Sequence, residues 1–249
     1  MNKRPLIFVG SRDKMNLMAI VAELNGYEIL GILDSHYYGR QDTLHNLPLI
    51  GDERWLLDPN NSQAQQWLRT CDFFLGNWWY GNQHINHPGP DMQLLRLDRI
   101  NVLEQSGANV VNLIHPRSRN LSENSKYATI KLGKGIYIDD DCWYNTFNVE
   151  IGNYCSISMN TRIAGNAKLG FNVCVGPDSY LHHCDIGDNS YIGMQTKILL
   201  IHTEDHMIKI GKNCTTWVSS ELFKDMPDHS IHTNTGRILK KIYVPEELT

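Results

Sequence analysis

Residues 151–193 read IGNYCSISMNTRIAGNAKLGFNVCVGPDSYLHHCDIGDNSYIG, and their spacing decides the fold. Aliphatic residues fall at Ile151, Ile157, Ile163, Leu169, Val175 and Leu181, one every six positions. One residue is then dropped, and the series resumes at Ile186, Ile192 and Ile198. That period belongs neither to a helix nor to simple strand alternation. It is the signature of a hexapeptide β-helix. Each flat face contributes one short strand, the aliphatic side chain points inward, and small or polar residues form the corner. Three hexads close a coil of about 18 residues, and stacked coils bury one another's cores.

The series extends backwards through Tyr144, Ile138 and Leu132, and forwards to Ile210, Thr216 and Leu222. Its phase is lost between Ile198 and Ile210, so LLIHTEDHMIK (199–209) is expected to leave a coil corner as a loop. Insertions in repeat proteins collect on one face, often the binding face.

Residues 1–116 follow a different grammar. LIFVG (6–10) is a buried-strand run, KMNLMAIVAELNGY (14–27) has helical spacing with a stop at Asn25-Gly26, and EILGILDS (28–35) is a second strand. Asp34 lies 24 positions after Gly10, close to the distance at which a dinucleotide fold meets a ribose hydroxyl. The glycine fingerprint is incomplete, because GSRDKM lacks the later glycines. Strands at DFFLGN (72–77) and NVVNLI (109–114), with a helix around LDRINVLEQSG (97–107), complete a small parallel sheet. The stretch WWYGNQHINHPGPDM (78–92) reads as an aromatic, irregular loop close to substrate.

The formal net charge of −4 and a pI near 6.2 give no reason to expect nucleic acid as a partner. No apolar run is long enough to insert in a membrane, and the N-terminus lacks a signal-peptide pattern. The six cysteines form no C-x-x-C pair and read as reduced, packed thiols of a cytoplasmic protein.

A strand-helix-strand domain, then HPRS (115–118), then hexads, resembles the bacterial nucleotide-sugar N-acetyltransferases. GYEILGILDS, LPLIGDERWL and ELFKDMPDHSI are similar to further segments of that family. The resemblance implies an α/β plus β-solenoid fold class. A small Rossmann-like parallel α/β domain (1–116) would hold the nucleotide sugar, and a left-handed parallel β-helix (117–249) would form a homotrimer. It implies acetyl-CoA as co-substrate, lying in the groove between neighbouring β-helices, and a nucleotide-linked amino sugar as acceptor. Gly10, Ser11, Arg12, Asp34, Ser35 and Gly76 become the substrate-binding candidates. Gly193, Trp217, Ser219 and Lys224 become those for the acyl-CoA groove. The chain departs from the family at GSRDKM, where Arg12 would supply charge toward a diphosphate, and at TTWVSSE, where Trp217 replaces a small residue.

Acetyl transfer to a sugar amine needs a base for the amine and donors for the tetrahedral oxyanion. The family's base histidine precedes an Ile-Gly step by four residues, which selects His182 in LHHCDIG. The family's next residue is acidic; here it is His183, leaving Asp185 or a neighbouring subunit as the partner. Coil counting from IAGNAKLG instead puts the base at Phe147. HTEDHMIKIG resembles the loop of hexapeptide O-acetyltransferases, with His206 beside Glu204 and Asp205. Positioning without any histidine base stays open, since water can take the amine proton. Two other classes share the β-helix: a silent sugar-nucleotide-binding trimer, and a γ-type carbonic anhydrase with zinc on His182, His202 and His206. The favoured reading includes no metal.

Overall fold

The computed structural model describes residues 4–11, 15–76, 92–120, 126, 129–144, 147–199 and 206–240. Over these residues the chain divides into two compact units, 4–76 with 92–116, and 117–240.

The first unit is built on five strands: β1 (Leu6–Val9), β2 (Ile29–Leu33), β3 (Thr43–Leu44), β4 (Leu47–Gly51) and β5 (Asp72–Leu75). Their order is β3-β4-β2-β1-β5. All neighbours run parallel except the β3–β4 hairpin, whose two turn residues, His45 and Asn46, have positive φ. β1 and β5 are buried along their whole length, and apart from Asp72 at the start of β5 they read as apolar runs. The helices are α1 (Met15–Leu24), α2 (Ser62–Thr70) and α3 (Met92–Ser106). α1 stops at Asn25-Gly26 as the sequence predicts: Gly26 takes φ +79° and Tyr27 N–H bonds back to Ala22 O at 3.0 Å. The strand expected over 109–114 is broken. Val110 forms only an isolated bridge to Phe73, and the regular strand is limited to Leu113–Ile114. Asn109 turns its side-chain amide to the Asp72 carboxylate at 2.7 Å, so its polar group is used across the sheet end instead of along a strand.

The second unit is a three-faced parallel solenoid. On the first face Leu132, Ile151, Leu169, Ile186 and Ile210 stack in register. The second face stacks Ile138, Ile157, Val175 and Ile192, and the third Tyr144, Ile163, Leu181, Ile198 and Leu222. All of these side chains except Leu132, at the end of its column and half-buried, are buried and form the core. The backward and forward extensions of the hexad series therefore lie in the same columns. Cys142, Cys155, Cys174, Cys184 and Cys214 are also buried, and all six cysteines of the chain are free thiols.

The edges explain the rest of the repeat. The chain turns through left-handed residues stacked coil on coil: Asn148, Asn166 and His183 on one edge, Tyr154, Asn172, Asn189 and Asn213 on the next, Asn160, Asp178, Gln195 and Ser219 on the third. Asparagine and aspartate tolerate that region better than most residues because their short polar side chains bond locally. The glycine of each Ile-Gly step serves a different end. A Cβ on Gly152 would lie 2.4 Å from Gly170 O of the overlying coil, so it is the space between coils that forbids a side chain there. Gly152→Ala is therefore expected to cost about 1–3 kcal/mol by overpacking. Ile186→Ala, at a fully buried position, is expected to cost about 2–5 kcal/mol. Urea denaturation checks both.

Candidate functional site

In the first unit the predicted substrate residues gather at the C-terminal strand ends, and most are already engaged by protein. Asp34 is fully buried. Its Oδ2 accepts from Ser11 N at 2.9 Å and Ser11 Oγ at 2.8 Å, and its Oδ1 accepts from His36 N at 3.0 Å. The Arg99 guanidinium, carried by α3 and 2% exposed, stands 3.0 Å from the same Oδ2. Arg99 Nε also reaches Glu53 Oε1 at 3.4 Å, and Glu53 accepts from Ser35 N at 2.5 Å and Ser35 Oγ at 2.9 Å. Asp34, expected to meet a ribose hydroxyl, is bonded here to protein groups: its carboxylate and the polar groups of Ser11 and Ser35 tie together the loops after β1, β2 and β4. Gly10 and Gly76 mark where the strand order reverses, between β1 and β5. A Cβ on Gly76 would fall 2.1 Å from Gly10 O, so the two strand ends meet backbone to backbone. Arg12 and the aromatic stretch 78–91 lie outside the described residues. Arg99 and Glu53 were not foreseen. The available signal was polar residues buried along α3, where Gln93, Arg96 and Arg99 accompany Ile100 and Leu103; a charge there requires a buried partner.

In the second unit His182 ends the strand Tyr180–His182 on the third face, paired with Ala164. It is half-buried, and its ring stacks on Tyr180 with centroids 6.3 Å apart. Burial pushes the His182 imidazole below its ordinary value, and the neighbouring His183 adds to the effect. His183 takes the corner itself (φ +52°), donating its backbone N–H to Gly165 O at 2.8 Å. Asn166 N likewise donates to Phe147 O. Phe147, Gly165 and His182 thus follow one another up a single edge, and the two ways of counting coils differ by two steps along it. No hydrogen bond among the described residues joins Asp185 to His182.

The loop expected at 199–209 is corrected at its end: Ile208–Ile210 is a strand, and Ile208 N donates to His183 O at 3.1 Å on this same edge; His202, Glu204 and Asp205 lie outside the described residues. His206 Nε2 stands 3.1 Å from Asp225 Oδ1, which also accepts Lys209 N at 2.9 Å. The Lys209 amide, with His206 beside it, holds the Asp225 carboxyl below the usual carboxylate range. Asp225 is the acidic partner of His206, a pairing that a separation of 19 positions hides from sequence reading. A cleft of about 540 Å³ opens beside this pair, between Asp185, Lys209, Lys212 and Asp228.

The acyl-CoA candidates do not meet at one point of the solenoid. Gly193 packs under the backbone of Thr216 and Trp217, and Ser219 Oγ bonds Gln195 Oε1 at 2.8 Å; these lie toward the edge between the second and third faces. Lys224 follows Leu222 on the third face, toward the His182 edge. The former edge also carries exposed apolar side chains, Met159, Met194 and Val218, with the half-buried Pro177 in the coil between the first two. Among the described residues no group of three or more His, Cys, Asp and Glu side chains could hold a metal ion, and no helix is long and apolar enough to cross a membrane.

No protein-family model matches the chain, and no curated protein does. Solved structures do. A mutant of GDP-perosamine N-acetyl transferase from Caulobacter crescentus, in complex with CoA and GDP-perosamine, superposes with TM-score 0.73 at 16% identity, covering 94% of this chain and 96% of that one. The acetyltransferase domain of PglB from Neisseria gonorrhoeae, in complex with acetyl coenzyme A, gives 0.72 at 16%, covering 95% and 100%. WeeI from Acinetobacter baumannii gives 0.70 at 17%, covering 94% and 99%. The chain shares their fold. The likeness runs through both units.

Removing Arg99 would leave two carboxylates buried without their cation. Arg99→Met is expected to lower the stability of the first unit by about 3–5 kcal/mol, read from the denaturant midpoint.

Proposed function

We propose that this protein transfers the acetyl group of acetyl-CoA to the amino group of a nucleotide-linked amino sugar. The observation that carries the proposal is a near whole-chain likeness to acetyltransferase structures holding CoA, acetyl-CoA or GDP-perosamine. It is joined by a half-buried imidazole, His182, on a coil edge. In this reading residues 1–116 are a Rossmann-like nucleotide-sugar-binding domain, and 117–249 a left-handed β-helix that carries acyl transfer. Three copies assemble side by side, and the exposed Met159, Met194 and Val218 supply apolar surface that such packing would cover. The co-substrates and the free thiols fit a cytoplasmic enzyme.

The chemistry then needs little from the protein. The amine lone pair attacks the thioester carbonyl, the π electrons move to oxygen, and His182 takes the amine proton. Collapse of the tetrahedral intermediate expels CoA thiolate, which the His182 imidazolium protonates. Burial suits His182 to this role, because a base must arrive unprotonated. The sign follows directly: a depressed proton affinity keeps the ring competent to lower pH. The acid limb of kcat/KM is expected below the ordinary histidine midpoint of ~6.5, and a limb above it would contradict His182 as the base.

A second reading rests on the His206–Asp225 contact, an imidazole already paired with a carboxylate just before the strand Ile208–Ile210, as an O-acetyl transfer site would require. Substitution separates the two. His182→Ala is expected to lower kcat by about 10²–10⁴-fold with sedimentation unchanged. His206→Ala should cost under about threefold, roughly 0.7 kcal/mol. The reverse ranking moves the site to the loop.

A further inference from the structure

The edge that carries His182 also carries a file of hydrogen-bonded side chains, one from each coil, and the file ends on the adjacent imidazole. Thr129 Oγ1 lies 2.8 Å from Asn148 Oδ1, Asn148 Nδ2 lies 3.4 Å from Asn166 Oδ1, and Asn166 Nδ2 lies 3.4 Å from His183 Nδ1. An amide nitrogen only donates, so with the amides so oriented His183 Nδ1 is the acceptor and the ring proton sits on Nε2. Similar contacts elsewhere on the solenoid end on another amide or a carboxylate, as Asn172 does on Asn189 Oδ1 at 2.9 Å and Asn160 on Asp178 Oδ1 at 2.6 Å. Only on the His182 edge does such a contact, among those described, end on a ring that can pass the dipole outward. His183 is half-buried, occupies the left-handed region at φ +52°, and makes no hydrogen bond through Nε2 to the described residues. Its ring lies against that of His182, centroids 6.1 Å apart.

We infer that His183 is a second catalytic imidazole, a hydrogen-bond donor through Nε2–H to the thioester oxygen as it gains charge, with Asn166 as the residue that fixes its tautomer. The two adjacent rings thus divide the work: His182 offers a lone pair, and His183 offers a proton that it keeps. Adjacent groups held in different states are how one site performs both acid and base tasks. A donor already oriented toward the developing oxyanion is worth far more than one that water must reorganise to supply. Electrons balance without any further reactant, because His183 lends a hydrogen bond and transfers no proton. The inference rests on the acetyl-transfer reading, but the tautomer can be read without turnover.

The test has two arms on the full chain. In ¹⁵N-histidine spectra His183 is expected as the Nε2–H tautomer, and Asn166→Ala should release it to a mixture of tautomers. A protonated Nδ1 in the unsubstituted protein would reverse the file and overturn the inference. In kinetics, His183→Gly, which suits a positive φ, is expected to lower kcat about 10²-fold, with partial rescue by added imidazole. The acid limb of His182 should move up only part of the way to the ordinary histidine value, because burial, the larger cause of its depression, remains. A kcat within threefold of wild type would also overturn it. If no amino sugar is acetylated by the unsubstituted protein, the function fails and with it the donor role, whereas the Nε2–H tautomer is judged by the spectra alone.

Discussion

Everything in the solenoid depends on the closeness of successive coils. Parallel strands hydrogen-bond about 4.8 Å apart, and at that separation a backbone atom in one coil occupies the place where a side chain of the coil below would begin. Gly152 beneath Gly170 shows the constraint directly. The same closeness brings like residues into line along each edge, so that amides can bond amides and an imidazole can receive an amide proton. The candidate site is a by-product of that alignment: a corner position acquires its neighbours from the coils above and below it.

How much of this was legible depends on where the information lies in the chain. A period of six is a local property, and it gave the faces and the inward columns. It did not give the reason for the Ile-Gly glycines, because the atom they avoid belongs to a coil some 18 residues on. His182 could be picked out by its distance from Ile186. His206 could be picked out too, but its partner Asp225 could not, since the two lie 19 positions apart in the chain.

The first unit shows the opposite failure. Spacing from Gly10 drew attention to Asp34, and the position is indeed at a strand end, yet an acidic residue at that distance has two uses. It can face solvent and meet a hydroxyl, or turn inward and meet a cation. In this structure the carboxylate meets a cation, Arg99, some sixty-five residues later and on α3, a separation that local spacing does not reveal. Buried ion clusters of this sort contribute modest net stability, while each broken member is costly. Their value here is geometric: three loops that would otherwise move independently are held to one guanidinium.

The buried cysteines have a consequence of their own. Cys142, Cys155, Cys174, Cys184 and Cys214 are distributed along the solenoid axis, each sealed from solvent. The Sγ of Cys142, Cys155 and Cys214 rest against carbonyls of adjoining coils at 3.0, 3.1 and 3.1 Å. A thiol reagent can reach any of them only after the neighbouring coil lifts away. Repeat proteins open from their ends and propagate inward, so the order in which these thiols become reactive would trace the fraying of the stack, coil by coil, without a single introduced label.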